Sequence, residues 1–245
     1  MARTTPDARP SRYGELLGAL STVLIDHSTL EGTLEQLLHV ATAAAPAVDA
    51  MTVTTMADDD GYTSAATTDA AARSVDEHEY LIEEGPCIDA LHSGSEQFVT
   101  DAHTDERWPR FASFAAAAGF RTVLGLPLAA PDGQVLGALN VFARSPDALA
   151  EEDLALLRQV AVPAGAILAN ARAYHRTAAI SDQLTASLEQ RATWHRAIGI
   201  VLGRHGGDEA GAAEVLARTA EAEGVPVERI AEQLARGAPV SLRGV

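Results

Sequence analysis

Glu151-Glu152-Asp153-Leu154-Ala155-Leu156-Leu157 opens a run that keeps a helical pattern to about His205, and the rest of the chain hangs from its two ends. Leu154, Leu157, Ala161, Ala164, Leu168, Ala171 and Ala178 recur at steps of three and four, one face of a helix, with the polar His175 in the same row. Leu184, Leu188, Arg191, His195, Ile198 and Leu202 continue the row after a three-residue step near Ser181, which overwinds a two-stranded coil without ending it. Pro163 lacks the N–H that its turn needs, so a bend is expected there. A helix of about fifty residues is far longer than an ordinary globular one. A rod of this kind between two modules is expected to be a coiled-coil homodimer seam and a signal path.

Composition sets the outer bounds. The chain has 245 residues, enough for one large domain or two ordinary ones. Its 18 basic residues are all arginine, which excludes Schiff-base lysines, a lysine general base and the phosphate-gripping lysine of a P-loop. Charge is uneven: residues 1–184 hold 11 arginines against 26 acids, whereas residues 185–245 hold 7 against 8. Only the C-terminal part is therefore a plausible nucleic-acid surface. One cysteine rules out an internal disulfide and fits a reducing compartment. The N-terminus has no apolar signal core and no stretch approaches a bilayer span, so a cytoplasmic chain without membrane contact is expected.

Taken in order, residues 1–10 read as a flexible N-terminus. Tyr13 to Ala45 reads as two helices broken near Asp26 to Ser28, the second capped by Ser28 or Thr29 with Glu31 in its first turn. Met51 to Met56 and Tyr62 to Ala66 flank an Asp-Asp-Asp-Gly turn and form a hairpin; Ala70 to Leu81 is a polar helix. Gly85-Pro86 turns into a short helix, Gln97 to Thr100 is a short strand, and Phe111 to Gly119 a helix stopped by Gly119. Arg121 to Leu128 and Val135 to Ala143 are strands joined at Pro131-Asp132-Gly133.

Three motifs within this order, Glu84-Gly85-Pro86-Cys87-Ile88-Asp89-Ala90, Arg121-Thr122-Val123-Leu124-Gly125-Leu126-Pro127-Leu128 and Gly137-Ala138-Leu139-Asn140-Val141-Phe142, resemble those of GAF sensor domains. The resemblance implies an antiparallel sheet with flanking helices and a ligand pocket beneath the loops around Asp76 to Asp105. GAF domains bind cyclic nucleotides, haem, bilins or small metabolites, and some bind nothing; the motif associated with cyclic-nucleotide binders is absent here, and the cofactor stays unknown. Cys87, His92, His103 and Trp108 are the candidate pocket residues. Cys87 reads either as a thiol sensor or chromophore attachment point or as a small buried side chain. His78, His92 and His103 lack metal-ligand spacing, and Trp108 reads as a packing anchor or a ligand platform. No nucleophile elbow or phosphate-binding glycine loop occurs, so no enzyme is expected.

Behind the rod, the glycine-rich stop Gly203 to Asp208, a helix over Glu209 to Glu223, the turn Gly224-Val225-Pro226 and a last helix over Val227 to Arg236 make a small bundle that would be marginal without the rod. From Leu188 to Leu234 this resembles the ANTAR family, three-helix RNA-binding modules of bacterial antitermination regulators, through Arg191, Ala197, Gly199, Leu202, Asp208-Glu209, Leu216, Arg218, Val227, Ile230 and Ala231. The pairing with GAF is familiar in actinobacteria. Where the family usually has lysine this chain has Ile198; where an arginine often precedes Arg218 it has Ala217; a small polar residue gives way to Ala220, and an Asn with basic residues gives way to Gly224-Val225-Pro226. Each lost cation removes a phosphate contact and its counterion release. Arg191, Arg196, Arg204, Arg218 and Arg229 remain as candidate RNA contacts, since arginine pairs with phosphate and stacks on unpaired bases.

The expected fold class is α+β: a GAF-like antiparallel sheet with flanking helices over residues 11–174, a helical connector at 175–187, an all-α three-helix ANTAR-like bundle at 188–240 and a tail at 241–245. The expected function is signal-responsive control of transcription termination by a homodimer that binds RNA stem-loops and takes a small molecule in its GAF pocket. The alternative is a sensory adaptor whose degenerate ANTAR module binds protein.

Overall fold

A computed structural model describes residues 29–56 and 61–243; the expected flexible N-terminus, the first helix of the sensor, the Asp-Asp-Asp part of the first hairpin turn and the last two residues lie outside them. The chain divides into two compact units, Met1–Ala173 and Tyr174–Val245.

The first unit is built on a sheet of order β2-β1-β5-β4-β3, all neighbours antiparallel. Its strands are β1 (Ala50–Met56), β2 (Tyr62–Thr67), β3 (Gln97–Val99), β4 (Thr122–Ala129) and β5 (Val135–Ala143). Its helices are α1 (Leu30–Ala44), α2 (Ala70–Ile82), α3 (Pro86–Ser93) and α4 (Pro109–Ala117), followed by the start of α5 (Glu151–His205). Thr29 caps α1 by accepting from the Gly32 N–H at 3.2 Å, and Asp69 caps α2 through Ala71 and Ala72. The two expected hairpins form, and the expected boundaries move by one to two residues, most at α4, which starts at Pro109 rather than Phe111.

Side-chain alternation sorts the sheet into two faces. Met51, Val53, Leu124, Leu126, Leu128, Leu139 and Val141 join Leu34, Leu37 and Leu38 of α1 and Leu154, Leu157, Ala164 and Leu168 of α5 in one core. On the other face Ala50, Val123 and Phe142 pack with Val75 of α2 and Phe111 of α4 in a second core, while Ala138 meets Cys87, Ile88 and Leu91 of α3 in a third. Here α3 lies directly on the sheet: a Cβ on Gly125 of β4 would stand 2.7 Å from the Pro86 carbonyl oxygen. Similarly, a Cβ on Gly165 of α5 would stand 2.5 Å from the carbonyl oxygen of Ala129.

The apolar row that promised a dimer seam is thus divided by function. Leu154, Leu157, Ala164 and Leu168 are core residues of the sensor, so this part of the row has its partner within its own unit. The helix continues unbroken through Pro163. One 18-residue window of α5 has mean hydropathy 1.4, which meets the length and apolarity of a bilayer span, contrary to the expectation that no stretch would; half of that window is buried in the structure, as in a core helix.

In the second unit, Ala197, Ile198 and Val201 of α5 close a core with Ala212, Val215, Leu216 and Ala220 of α6 (Glu209–Glu223) and Ile230, Ala231 and Leu234 of α7 (Val227–Ala235). Asp208 caps α6 through the Gly211 N–H, and Gly224 ends it with φ +67°. Val240 and Leu242 pack on this core, and the Arg243 N–H donates to Thr219 Oγ1 at 3.0 Å. Ile180, Leu184 and Leu188, one helical turn apart, remain 58%, 60% and 56% exposed.

Two glycines separate packing from propensity. Gly125→Ala should destabilise the protein by roughly 1–3 kcal/mol, because backbone lies where the methyl would go. Gly199→Ala, with nothing within 4 Å of the new methyl inside a helix, should stabilise it by about 0.5–1 kcal/mol. Denaturant melts of the two variants check both signs.

Candidate functional site

The sequence places Thr52 and Thr54 at alternate positions of β1, so both point to the same sheet face, and Asn140 stands opposite Thr52 on the neighbouring β5. On α2, Asp76 and Glu79 are three residues apart and so share the face that carries Ala72 and Val75 into the structure. Closing α2 and α3 over the sheet buries all five: Thr52, Thr54 and Asp76 are fully buried, and Glu79 and Asn140 nearly so. Polar groups buried at this depth need partners. Asn140 Nδ2 faces Thr52 Oγ1 at 3.2 Å, Thr54 Oγ1 at 2.9 Å and Asp76 Oδ1 at 3.0 Å, while Ser64 Oγ donates to Asp76 Oδ2 at 3.3 Å. Tyr80 Oη shares a 2.7 Å hydrogen bond with Thr54 Oγ1.

Glu79 does a different job. Its Oε1 accepts from the backbone N–H groups of Cys87 at 2.7 Å and Ile88 at 3.0 Å, the first free donors of α3. Gly85, the N-cap, has no side chain to satisfy them, so a carboxyl oxygen from α2 caps the helix from outside. Burial pushes the Glu79 carboxyl well up, with the Asp76 charge adding to it against the two backbone donors. Burial likewise pushes Asp76 up to about 7, against the hydrogen bonds from Thr52, Ser64 and Asn140.

Of the expected pocket residues, only Cys87 joins this cluster. Its thiol donates to Thr54 Oγ1 at 3.3 Å, and burial, then Glu79 and Asp76, push its pKa well up, the opposite of an activated thiolate. His92 is exposed and shares a 2.9 Å hydrogen bond with Tyr62 Oη. His103 is exposed in a loop, where its N–H donates to Asp101. Trp108 is an anchor: it is buried, its Nε1 donates to Asp89 Oδ2 at 3.0 Å, and the Arg107 guanidinium lies 4.3 Å over its ring. No group of three or more metal-ligating side chains gathers among the described residues. Asp76, Glu79 and Asn140 were missed in the sequence as site residues. The available signal was an Asn inside the apolar run of β5 and a Thr-Val-Thr alternation in β1. A groove of about 530 Å³ in this unit lies elsewhere, lined by Leu126, Ala130, Arg158 and Val162 among others.

In the second unit Arg191, Arg196, Arg204, Arg218 and Arg229 are all exposed. Arg218 is engaged by Glu214 at 2.7 Å, an exposed pair along α6. Arg191 lines a groove of about 530 Å³ with Trp194 of α5 and Glu228 and Glu232 of α7. Ile198, which replaces the lysine of the ANTAR pattern, is 4% exposed and part of the bundle core, whereas Ala217 is exposed.

Against this geometry, the GAF domain family model matches residues 27–169 and the ANTAR domain model residues 182–234. Among solved structures, the first unit is similar to the GAF domain from an Acinetobacter phosphoenolpyruvate-protein phosphotransferase: 16% identity and TM-score 0.53, covering 67% of this chain and 96% of that one. It is also similar to the GAF domain of the Coxiella burnetii phosphoenolpyruvate-protein phosphotransferase, with 20% identity and TM-score 0.51 over 68% and 99% of the two chains. A free methionine-R-sulfoxide reductase from Neisseria meningitidis, solved with its substrate, matches at 15% identity and TM-score 0.52 over 71% and 98%. At such identities the likeness is one of fold. No curated protein matches the chain.

The site yields one direct expectation. A soluble thiol reagent should leave Cys87 unmodified in the native protein and react once denaturant opens the first unit, because the thiol is 1% exposed and held protonated. Stoichiometric reaction of the native protein within minutes would place the thiol at the surface.

Proposed function

Because the chain belongs to the GAF domain family and carries an ANTAR domain behind it, we propose that this sensor-regulated RNA-binding protein acts on transcription termination, as a homodimer in the cytoplasm, and catalyses nothing. The actinobacterial type of GAF–ANTAR regulator is the reading its all-arginine composition supports. The carrying observation is that all five candidate arginines of the ANTAR unit are exposed, four of them without an ion pair among the described residues. Such free cations are what phosphate neutralisation requires. A reductase activity like that of the Neisseria structure is disfavoured by a single thiol that is buried and held protonated.

Homodimerisation rests on Ile180, Leu184 and Leu188. A row of three large apolar side chains, each more than half exposed and one turn apart, is a short seam for a second copy of the same helix. The seam is smaller than the sequence suggests, since the earlier part of the row belongs to the sensor core. Replacing Leu184 and Leu188 together by glutamate should convert a dimer to monomer in light scattering at micromolar concentration, with the melting of the sensor unit unchanged. A wild-type monomer at that concentration would end the dimer reading.

RNA affinity should fall steeply as salt rises, and Arg191→Ala, Arg204→Ala or Arg218→Ala should each reduce the slope of log K against log salt by roughly 0.7–0.9. Restoring family cations separates surface from core. Ala217→Arg adds an exposed cation and should tighten stem-loop binding by about 1 kcal/mol. Ile198→Lys would instead place an ammonium in the bundle core and should lower stability by several kcal/mol. If neither the natural chain nor the Ala217→Arg variant binds structured RNA at low salt, the adaptor reading takes over.

A further inference from the structure

Between α2 and the sheet lie two carboxyl groups with no cation to balance them among the described residues. Asp76 is fully buried and Glu79 is 1% exposed, and no arginine or histidine pairs with either among the described residues. The titratable groups that act on them or are acted on by them most strongly are of the kind that become negative: Glu77 and Tyr80 on α2, and Cys87 and Asp89 on α3. The hydrogen-bond partners from the other elements are neutral, Thr52 and Thr54 from β1, Ser64 from β2 and Asn140 from β5. The cation of α4, Arg110, is exposed and engaged by Glu84 and the Ile82 carbonyl, His78 of α2 stacks on Phe114, and His92 of α3 is exposed and bonded to Tyr62. Two charges at this depth without a counter-ion cost several kcal/mol each, so the pair must retain at least one proton over much of the ordinary pH range.

Hydrogen-bond geometry says where that proton acts. Asn140 Nδ2 has two hydrogens and three acceptors within reach, whereas Asn140 Oδ1 is buried with no partner. Ionised Asp76 can only accept, and it takes one hydrogen from Asn140 Nδ2 on the sheet and one from Ser64 Oγ. Protonated Asp76 carries an O–H that must itself find an acceptor among these neighbours, so one of the bonds has to change direction. The hydrogen-bond pattern between α2 and the sheet is therefore tied to the protonation state of the carboxyl. Asn140 sits on a central strand and Asp76 on the helix that covers it, so the pair ties α2 to the sheet. Glu79, one turn along the same helix, holds the N-terminus of α3.

We propose that Asp76 and Asn140 form a proton switch: proton binding by Asp76 rearranges the hydrogen bonds that join α2 to the sheet and alters how α2 and α3 are held on it, making pH an input of the sensor. The sign follows from linkage. Asp76 in the folded protein is pushed up to about 7, above its ordinary value near 4, so the folded state holds a proton that the unfolded chain has lost. The stability this proton provides is fully present below about pH 4 and is lost as pH rises to about 7.

The test uses the full-length protein and infrared difference spectra between about pH 5 and about pH 9, where a protonated buried carboxyl gives a C=O band distinct from carboxylate. The expected result is a band that disappears with a midpoint near neutrality and is missing from Asp76→Asn. In Asn140→Ala the midpoint should move upward, because the variant loses a donor to the carboxylate form. The melting temperature of the wild type should fall between about pH 5 and about pH 7, and Asp76→Asn should lose part of that slope. If Asp76→Asn does not fold, the Asn140→Ala shift decides alone. A wild type with no titrating carboxyl band near neutrality, or a midpoint that Asn140→Ala leaves in place, overturns the proposal.

Discussion

Strict alternation of side chains across β1 and β5 is the constraint on which the sensor unit depends. Val53, Leu139 and Val141 turn one way and meet α1 and the start of α5; Thr52, Thr54 and Asn140 turn the other way and meet α2 and α3. A slip of one residue would put Thr52 and Thr54 of β1, or Asn140 of β5, into the larger apolar core and turn apolar side chains toward the carboxyl cluster. Register is therefore fixed from both sides, by apolar burial on one face and by hydrogen bonds on the other. The polar face is the less forgiving of the two, because its hydrogen bonds join particular pairs of side chains.

That arrangement explains an unusual cap. Gly85 lets the chain pass close under α2, and Glu79 reaches the free N–H groups of α3 that Gly85 cannot satisfy. Helix capping, normally a local matter of one residue and its neighbours, here joins two helices. Trp108 and Asp89 add a second tie between the loop before α4 and the same short helix. A helix of eight residues has little stability of its own; these two anchors, with Gly125 beneath, hold it.

The architecture was legible in the sequence because its signals are local. The Thr29 cap, the Pro131-Asp132-Gly133 turn and the helix end at Gly224 each act within a few residues, and the resemblances to GAF and ANTAR domains rest on short motifs. What stayed hidden depends on contacts between distant positions. Asp76 and Asn140 are 64 residues apart and look like unrelated polar residues until the sheet forms. The row beginning at Leu154 has the spacing of a coiled-coil seam, yet the partner that covers its first part is the sheet, and spacing alone does not say which. Ile198 shows the same limit: the missing lysine was visible as a lost cation, but its inward placement was not.

The close approach of Gly165 to the Ala129 carbonyl restricts the kinds of motion open to the first unit. A helix resting on a strand through a hydrogen-only residue sits in a notch one residue wide. Sliding along its axis toward the next turn would bring the side chain of Ala161 or Ala169, which share its face, against that carbonyl, so a piston stroke of one turn, about 5.4 Å, meets a steric wall. Rocking about the notch meets no such wall. Mechanical models of this sensor should therefore treat Gly165 as a fulcrum.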